Sequence, residues 1–106
     1  MYHQQFSIYW FDPEPSKGAE LKKIRPCIVI SPDEMNRQLR TVLVIPVTST
    51  MKPWPFRPTI HIAGYASSAA CDQLRVADKT RLKEMIGVLK DSERQAVLQV
   101  MRDMLA

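Results

Sequence analysis

The sequence predicts an α+β, mostly β fold: a small, strongly bent barrel or twisted antiparallel sheet with one helix packed on it. Three observations predict it. Short apolar segments of strand length fill the first two thirds of the chain, proline-rich turns separate them, and helical spacing of apolar residues is clear only at the C-terminus. At 106 residues the chain holds material for one core, and so for a single domain, 1–106. A composition that is 45% hydrophobic and 25% charged excludes a disordered tail or a fibre, since enough apolar surface exists to offset the entropy of ordering the chain.

The first strand is Phe6 to Phe11, rich in aromatic and β-branched residues. A loop over Asp12 to Lys23 follows, because Pro13, Pro15, Gly18 and alternating charges do not suit a central strand. Pro26 to Ile30 is continuously apolar, the pattern of a strand buried on both faces, and leads into a polar connection through Met35, Asn36 and Arg37. Thr41 to Val47 repeats the pattern, with Pro46 marking an edge, a bulge or the end of pairing. A second irregular loop, Met51 to Pro58, carries three prolines around Trp54 and Phe56. Thr59 to Ala63 alternates as a half-exposed strand does. Ala66 to Val76 is extended but interrupted by Asp72 and Gln73, Asp78 to Leu82 reads as one helical turn, and Lys83 to Leu89 as a returning strand. Ala96, Val97, Val100, Met101, Met104 and Leu105 then form one apolar face of a terminal helix that packs on the sheet, with Ser92 and Gln95 spaced as a capping box.

Lys plus Arg exceed Asp plus Glu by 15 to 11, a net charge of +4 that suits a polyanionic partner without requiring one. The longest apolar run, Val42 to Val47, is far below the roughly 20 residues that cross a bilayer. The N-terminus has no apolar h-region after a basic segment, so the cytoplasm is the expected compartment. Cys27 and Cys71 sit apart in apolar, strand-like segments and are expected to be buried free thiols. With two cysteines and two histidines scattered along the chain, no spacing argues for a metal site, and none is expected.

Polar residues cluster at strand ends: Arg25 before Pro26, Thr48, Ser49 and Thr50 after Val47, and Asp72, Gln73, Arg75 and Asp78 further on. The Arg25 guanidinium offers paired, planar donors suited to a phosphate, although a lone arginine more often makes a surface ion pair. Hydroxyls and N–H groups of Thr48 to Thr50 suit a phosphate oxygen, or simply a turn. Trp54 and Phe56, flanked by Lys52 and Arg57, suit stacking of unpaired bases, with closure of a core or dimer interface as the competing use. His61 lies between Ile60 and Ile62 and reads as an outward structural residue; His3 belongs to a frayed terminus.

Taken in order, Tyr9-Trp10-Phe11-Asp12-Pro13, Gly18-Ala19-Glu20, Arg25-Pro26 with Cys27 to Pro32, Asn36-Arg37, Ile45 to Thr50 with Lys52 to Phe56, and Cys71 to Leu82 make the whole chain resemble the MazF/PemK family of toxin endoribonucleases. The resemblance implies an SH3-like small barrel with an appended helix, a homodimer, and cofactor-free, metal-free cleavage of single-stranded RNA to 2′,3′-cyclic phosphate and 5′-hydroxyl ends. Arg25 and Thr48 match the family's positions at the scissile phosphate, Glu20 is the candidate base or orienter of Arg25, and Asp72 matches the carboxylate of PemK-like members. Ala70 and Ala19 stand where that subgroup's arginine and histidine are expected, and Gln5-Phe6-Ser7 replaces the Gly-Asp pair that commonly opens the first strand. RNA contacts are assigned to Lys17, Lys22, Lys23, Ser49, Thr50, Trp54, Phe56, Gln73 and Arg75. The resemblance further implies a cognate antitoxin with an acidic, disordered tail, for which the basic loop residues are natural contacts. Two alternatives share the fold: a gyrase-binding toxin like CcdB that does no chemistry, and an inert homologue that only binds antitoxin or nucleic acid.

Overall fold

The computed structural model describes residues 2–13 and 24–106, so most of the expected loop at 12–23, with Lys17, Glu20, Lys22 and Lys23, lies outside the described residues. The strands are β1 (Ser7–Phe11), β2 (Arg25–Val29), β3 (Thr41–Thr48), β4 (Thr59–Ile62), β5 (Tyr65–Ala69), β6 (Arg75–Asp78) and β7 (Leu82–Val88). Helix α1 (Asp33–Gln38) joins β2 to β3, and α2 (Asp91–Leu105) ends the chain. Strand order is β4-β5-β3-β2-β1-β7, with β6 also on β3, and every pairing is antiparallel. The expected mostly β sheet with a terminal helix is what forms, curled into a half-barrel.

Two features curl it. Between β1 and β7 the register slips twice, from Ile8 opposite Gly87 to Tyr9 opposite Met85 and Phe11 opposite Leu82, and each bulge bends the longer strand. On β3, the outer edge pairs first with β6, over Thr41 to Val44, and then with β5, at Val47 and Thr48. Pro46 falls in the gap between these partners, its carbonyl accepting the Ala70 N–H at 2.9 Å. Since a strand residue's N–H and C=O face the same neighbour, the donor that proline lacks is missing where no ladder needs it.

Alternation along the central strands feeds two cores. Ile8, Ile28, Ile45, Val47 and Ile60 pack under Val97 and Met101 of α2, while Phe11, Cys27, Val29, Val42, Val44, Ala77 and Leu82 fill the other face. That double burial explains the unbroken apolar run of β2. Both cysteines are buried free thiols, as expected, and burial pushes Cys27 up to about 12 and Cys71 up to about 11, so neither supplies a thiolate.

Three local expectations are corrected. The segment through Met35, Asn36 and Arg37 is helical, because Asn36 is fully buried as an anchor: its Nδ2 donates to the carbonyls of Ser31 (2.9 Å) and His3 (2.8 Å), its Oδ1 accepts from Ser31 Oγ, and its carbonyl accepts from Lys79 Nζ. Apolar periodicity cannot reveal a helix held by one buried amide. Helix α2 begins at Asp91, and Glu93 at its third position accepts the Lys90 N–H (3.0 Å), displacing the Ser92–Gln95 box; its buried stripe is Glu93, Val97 and Met101, with Ala96, Met104 and Leu105 exposed. His3 is not frayed: its ring lies 4.8 Å from that of Tyr9.

Burial, and then the nearby Lys79 ammonium, hold His3 below its ordinary value of 6.5. The unfolded chain therefore takes up this proton first, so the stability that the neutral ring contributes is complete above about pH 6.5 and falls as the pH drops towards the lower folded-state value. Urea midpoints of the wild type are expected to fall more between pH 7.5 and 5.5 than those of His3→Gln; parallel loss in both would reject this role. A second expectation concerns the turn between β4 and β5. Ala63 (φ +51°) and Gly64 (φ +83°) connect Ile62 to Tyr65, a two-residue hairpin with both central residues left-handed. Alanine is strained there, and Ala63→Gly is expected to raise unfolding free energy by about 1 kcal/mol in chemical denaturation.

Candidate active site

The register of β2 on β3 runs Val29 to Val44, Ile28 to Ile45 and Cys27 to Pro46. Carried two residues further, it sets Arg25 across from Thr48 at the open end of both strands. There Arg25, Pro26, Val47, Thr48, Ser49, Thr50 and Ser67 enclose a pocket of about 250 Å³. Arg25 is exposed, and among the described residues it forms no ion pair, so its fork of donors faces the pocket's solvent. The Thr48 Oγ1 accepts the Thr50 N–H at 3.1 Å, which fixes the hydroxyl and leaves its own hydrogen to donate. A guanidinium beside a fixed hydroxyl, lined by three further hydroxyls and an apolar floor, suits one tetrahedral oxyanion such as a phosphodiester.

From Thr48 the surface continues across β5. Ser68 pairs with Thr48 on one side and Thr59 on the other, and its Oγ donates to the Arg57 carbonyl at 3.4 Å. The second irregular loop thus lands beside the pocket. Its Trp54 and Phe56 rings stack, centroids 5.5 Å apart and 24° from parallel, with the Arg57 guanidinium 4.9 Å and the Lys52 ammonium 5.7 Å from the indole centre. Asp72 is absent from the pocket lining. Both of its oxygens accept from Arg57, Oδ1 from Nε and Oδ2 from Nη2, each at 3.0 Å. Hydrogen bonding from Arg57 holds the Asp72 carboxyl below the usual carboxylate range and makes it a weaker base. Arg75 and Gln73 are likewise absent from the pocket lining: Arg75 lies with its guanidinium 5.1 Å from the ring of Phe11, the cross-strand partner of Arg25, and Gln73 is exposed on the short turn before β6.

His61 takes no part in this pocket. Its Nδ1 lies 3.0 Å from Glu93 Oε2, which also accepts the His61 N–H at 2.8 Å, tying β4 to α2. Burial alone would raise the Glu93 pKa, but hydrogen bonds from Lys90 and His61 outweigh it and hold it below the ordinary range. Among the described residues no cluster of three or more His, Cys, Asp or Glu is suited to hold a metal, and no helix is long and apolar enough to cross a membrane. Sequence reasoning missed Ser67, whose only signal is the β5–β3 register, and gave Arg57 no partner because Asp72 lies 15 residues away.

A curled half-barrel with a terminal helix, carrying an arginine and several hydroxyls in a pocket at its strand ends, defines a small β protein whose surface pocket suits an oxyanion. The model of the PemK-like, MazF-like toxins of type II toxin–antitoxin systems matches residues 4–105, and the chain belongs to this family. The endoribonuclease toxin MazF of Escherichia coli K12 is 29% identical over 91 residues, covering 85% of this chain and 82% of that one. The endoribonuclease MazF of Staphylococcus saprophyticus is 31% identical over 96 residues, covering 85% and 80%. Among solved structures, a MazE–MazF complex from Deinococcus radiodurans matches with TM-score 0.82 at 25% identity, over 97% of this chain and 95% of that one. An endoribonuclease bound to its cognate antitoxin from a mycobacterial species matches with TM-score 0.81 at 16% identity, over 97% and 94%, a likeness of fold.

Proposed function

We propose that this protein is a cytoplasmic endoribonuclease toxin that cleaves single-stranded RNA, acts as a homodimer without metal or cofactor, and is silenced by a cognate antitoxin. The observation that carries the reading is the single pocket shared by Arg25 and Thr48. The ribose supplies the nucleophile: its 2′-oxygen bonds to phosphorus, the bond from phosphorus to the 5′-oxygen breaks, the 2′-proton goes to a base, and a proton is delivered to the leaving oxygen. Because the substrate attacks itself, no metal-bound hydroxide is required. Arg25 neutralises the charge that builds on the phosphorane, and the Thr48 hydroxyl holds one non-bridging oxygen in line. Glu20 is the candidate base. Ser49, Thr50 and Arg75 extend the contact to neighbouring phosphates, and Lys17, Lys22 and Lys23 add to it electrostatically. The same positive groups favour an acidic antitoxin tail that orders on binding.

The test is incubation of the purified protein with a messenger RNA in excess EDTA, followed by analysis of fragment ends. Fragments carrying 2′,3′-cyclic phosphate and 5′-hydroxyl groups, with DNA of the same sequence left intact, are expected; intact RNA, above all with gyrase inhibited, would overturn the reading. In the same assay Thr48→Val is expected to slow cleavage by roughly 10-fold, the effect of one hydrogen bond to a charged group. A wild-type rate would remove Thr48 from the site.

A further inference from the structure

Asp72 presents a contradiction. Its type and position fit a general base, yet it lies outside the pocket and both of its oxygens are engaged by Arg57. A carboxylate so occupied, and held below its usual range by that bond, is poorly placed to accept a ribose proton. The engagement has another consequence. The Arg57 side chain is 12% exposed, and its guanidinium lies against the Trp54 indole. The Arg57 N–H donates to the Trp54 carbonyl at 3.0 Å and closes the turn. Trp54 in turn stacks on Phe56, which with Pro55 meets Val100 and Met104 of α2.

The loop over Met51 to Pro58 is irregular, its prolines remove ladder donors, and β5 holds only its end, through the Ser68 hydroxyl on the Arg57 carbonyl and the Ala69 N–H on the Pro58 carbonyl. The stack running from Asp72 through Arg57 and Trp54 to Phe56 and α2 ties down its aromatic part. Even so the indole remains 42% exposed, one strand away from Thr48. A pinned, half-open aromatic plane on the loop that follows Thr50 and is tied to the strand beside Thr48 is an arrangement on which an unpaired base stacks at little entropic cost.

We propose that Asp72 is a positioning residue: through its bidentate bond to Arg57 it holds the Trp54 indole as the surface on which a base beside the scissile linkage of the RNA stacks. This rests on the nuclease reading and removes Asp72 from the chemistry itself. Arg57 and Trp54 thereby become determinants of RNA affinity and of which base is accepted next to the cut.

The experiment compares wild type, Asp72→Asn, Trp54→Ala and the double variant, using a short RNA that spans a cleavage site mapped in a messenger RNA, and a copy lacking the attacking 2′-hydroxyl. Asp72→Asn is expected to raise KM, and Kd for the uncleavable copy, by roughly 10-fold, the scale of one base–aromatic stack, with kcat changed by less than about twofold and the pH–rate profile unmoved. Trp54→Ala is expected to show the same loss and the double variant no more than Trp54→Ala alone, because both remove one interaction. Trp54→Phe, which keeps a stacking face, is expected to restore most of it. A residue that only stabilised the fold would change the melting temperature and leave KM and Kd alone, which would overturn the proposal. So would a fall in kcat of about 100-fold or more at constant KM, the mark of a lost base, or losses that simply add. Failure of the nuclease reading appears instead in the wild type, as RNA left uncut; in that event fluorescence anisotropy of a dye-labelled, mixed-sequence single-stranded RNA compares the same variants by Kd.

Discussion

Arg25→Ala is expected to lower the rate of RNA cleavage by roughly 10²- to 10³-fold, the usual loss when one preorganised donor to a developing oxyanion is removed. The fold is expected to stay intact. Arg25 is exposed, belongs to neither core and forms no ion pair among the described residues, so its truncation leaves no cavity and no stranded partner. Initial rates and thermal unfolding of the same preparation check both halves. Arg25→Lys is expected to recover only part of the activity, since an ammonium keeps the charge and loses the planar fork that matches two phosphate oxygens. A folded Arg25→Ala protein cutting RNA at the wild-type rate would remove the guanidinium from the chemistry.

Asn36→Leu is expected to be the most destabilising of these changes, by about 3 kcal/mol. Asn36 is fully buried, and its side chain joins the carbonyls of Ser31 and His3 to the Ser31 hydroxyl, which in turn accepts the Leu43 N–H at 3.0 Å. Leucine has nearly the right volume and none of the hydrogen bonds, so several buried polar groups are left without partners at once. The N-terminal segment, α1 and the start of β3 are all tied at this point, and chemical denaturation is expected to show a lower midpoint with an unchanged slope. At a temperature where the variant is still folded, its specific RNA cleavage is expected to match the wild type, because Asn36 lies outside the pocket. A loss below about 0.5 kcal/mol, the scale of an ordinary surface change, would show that the network contributes little.

Elements driven by apolar patterning were legible in the sequence. The strand from Phe6, the doubly buried run from Pro26, the segment from Thr41 and the terminal helix all appear within a residue or two of their expected limits, because side-chain period and burial are local properties. Elements held by single polar contacts were not. Helix α1 depends on one buried amide, and α2 is capped by Glu93 because His61, 32 residues earlier, and Lys90 converge on that carboxylate. The same division runs through the candidate site. Arg25 and Thr48 stood out as polar residues at the ends of apolar strands, and the motifs in series pointed to the family. Asp72 also stood out, but residue type alone gave no sign that Arg57 would occupy both its oxygens.

By itself, then, the sequence determined a mostly β fold with a terminal helix, buried thiols, and polar residues concentrated at strand ends, since composition and periodicity decide which side chains leave water. Tertiary structure alone decided which strand ends meet. Register sets Arg25 opposite Thr48 and draws Ser67 into their pocket, while the loop fold turns Asp72 toward Arg57. The physical reason is that pairing partners 15 to 32 residues apart are selected by the summed packing of two cores, which no local stretch of chain encodes.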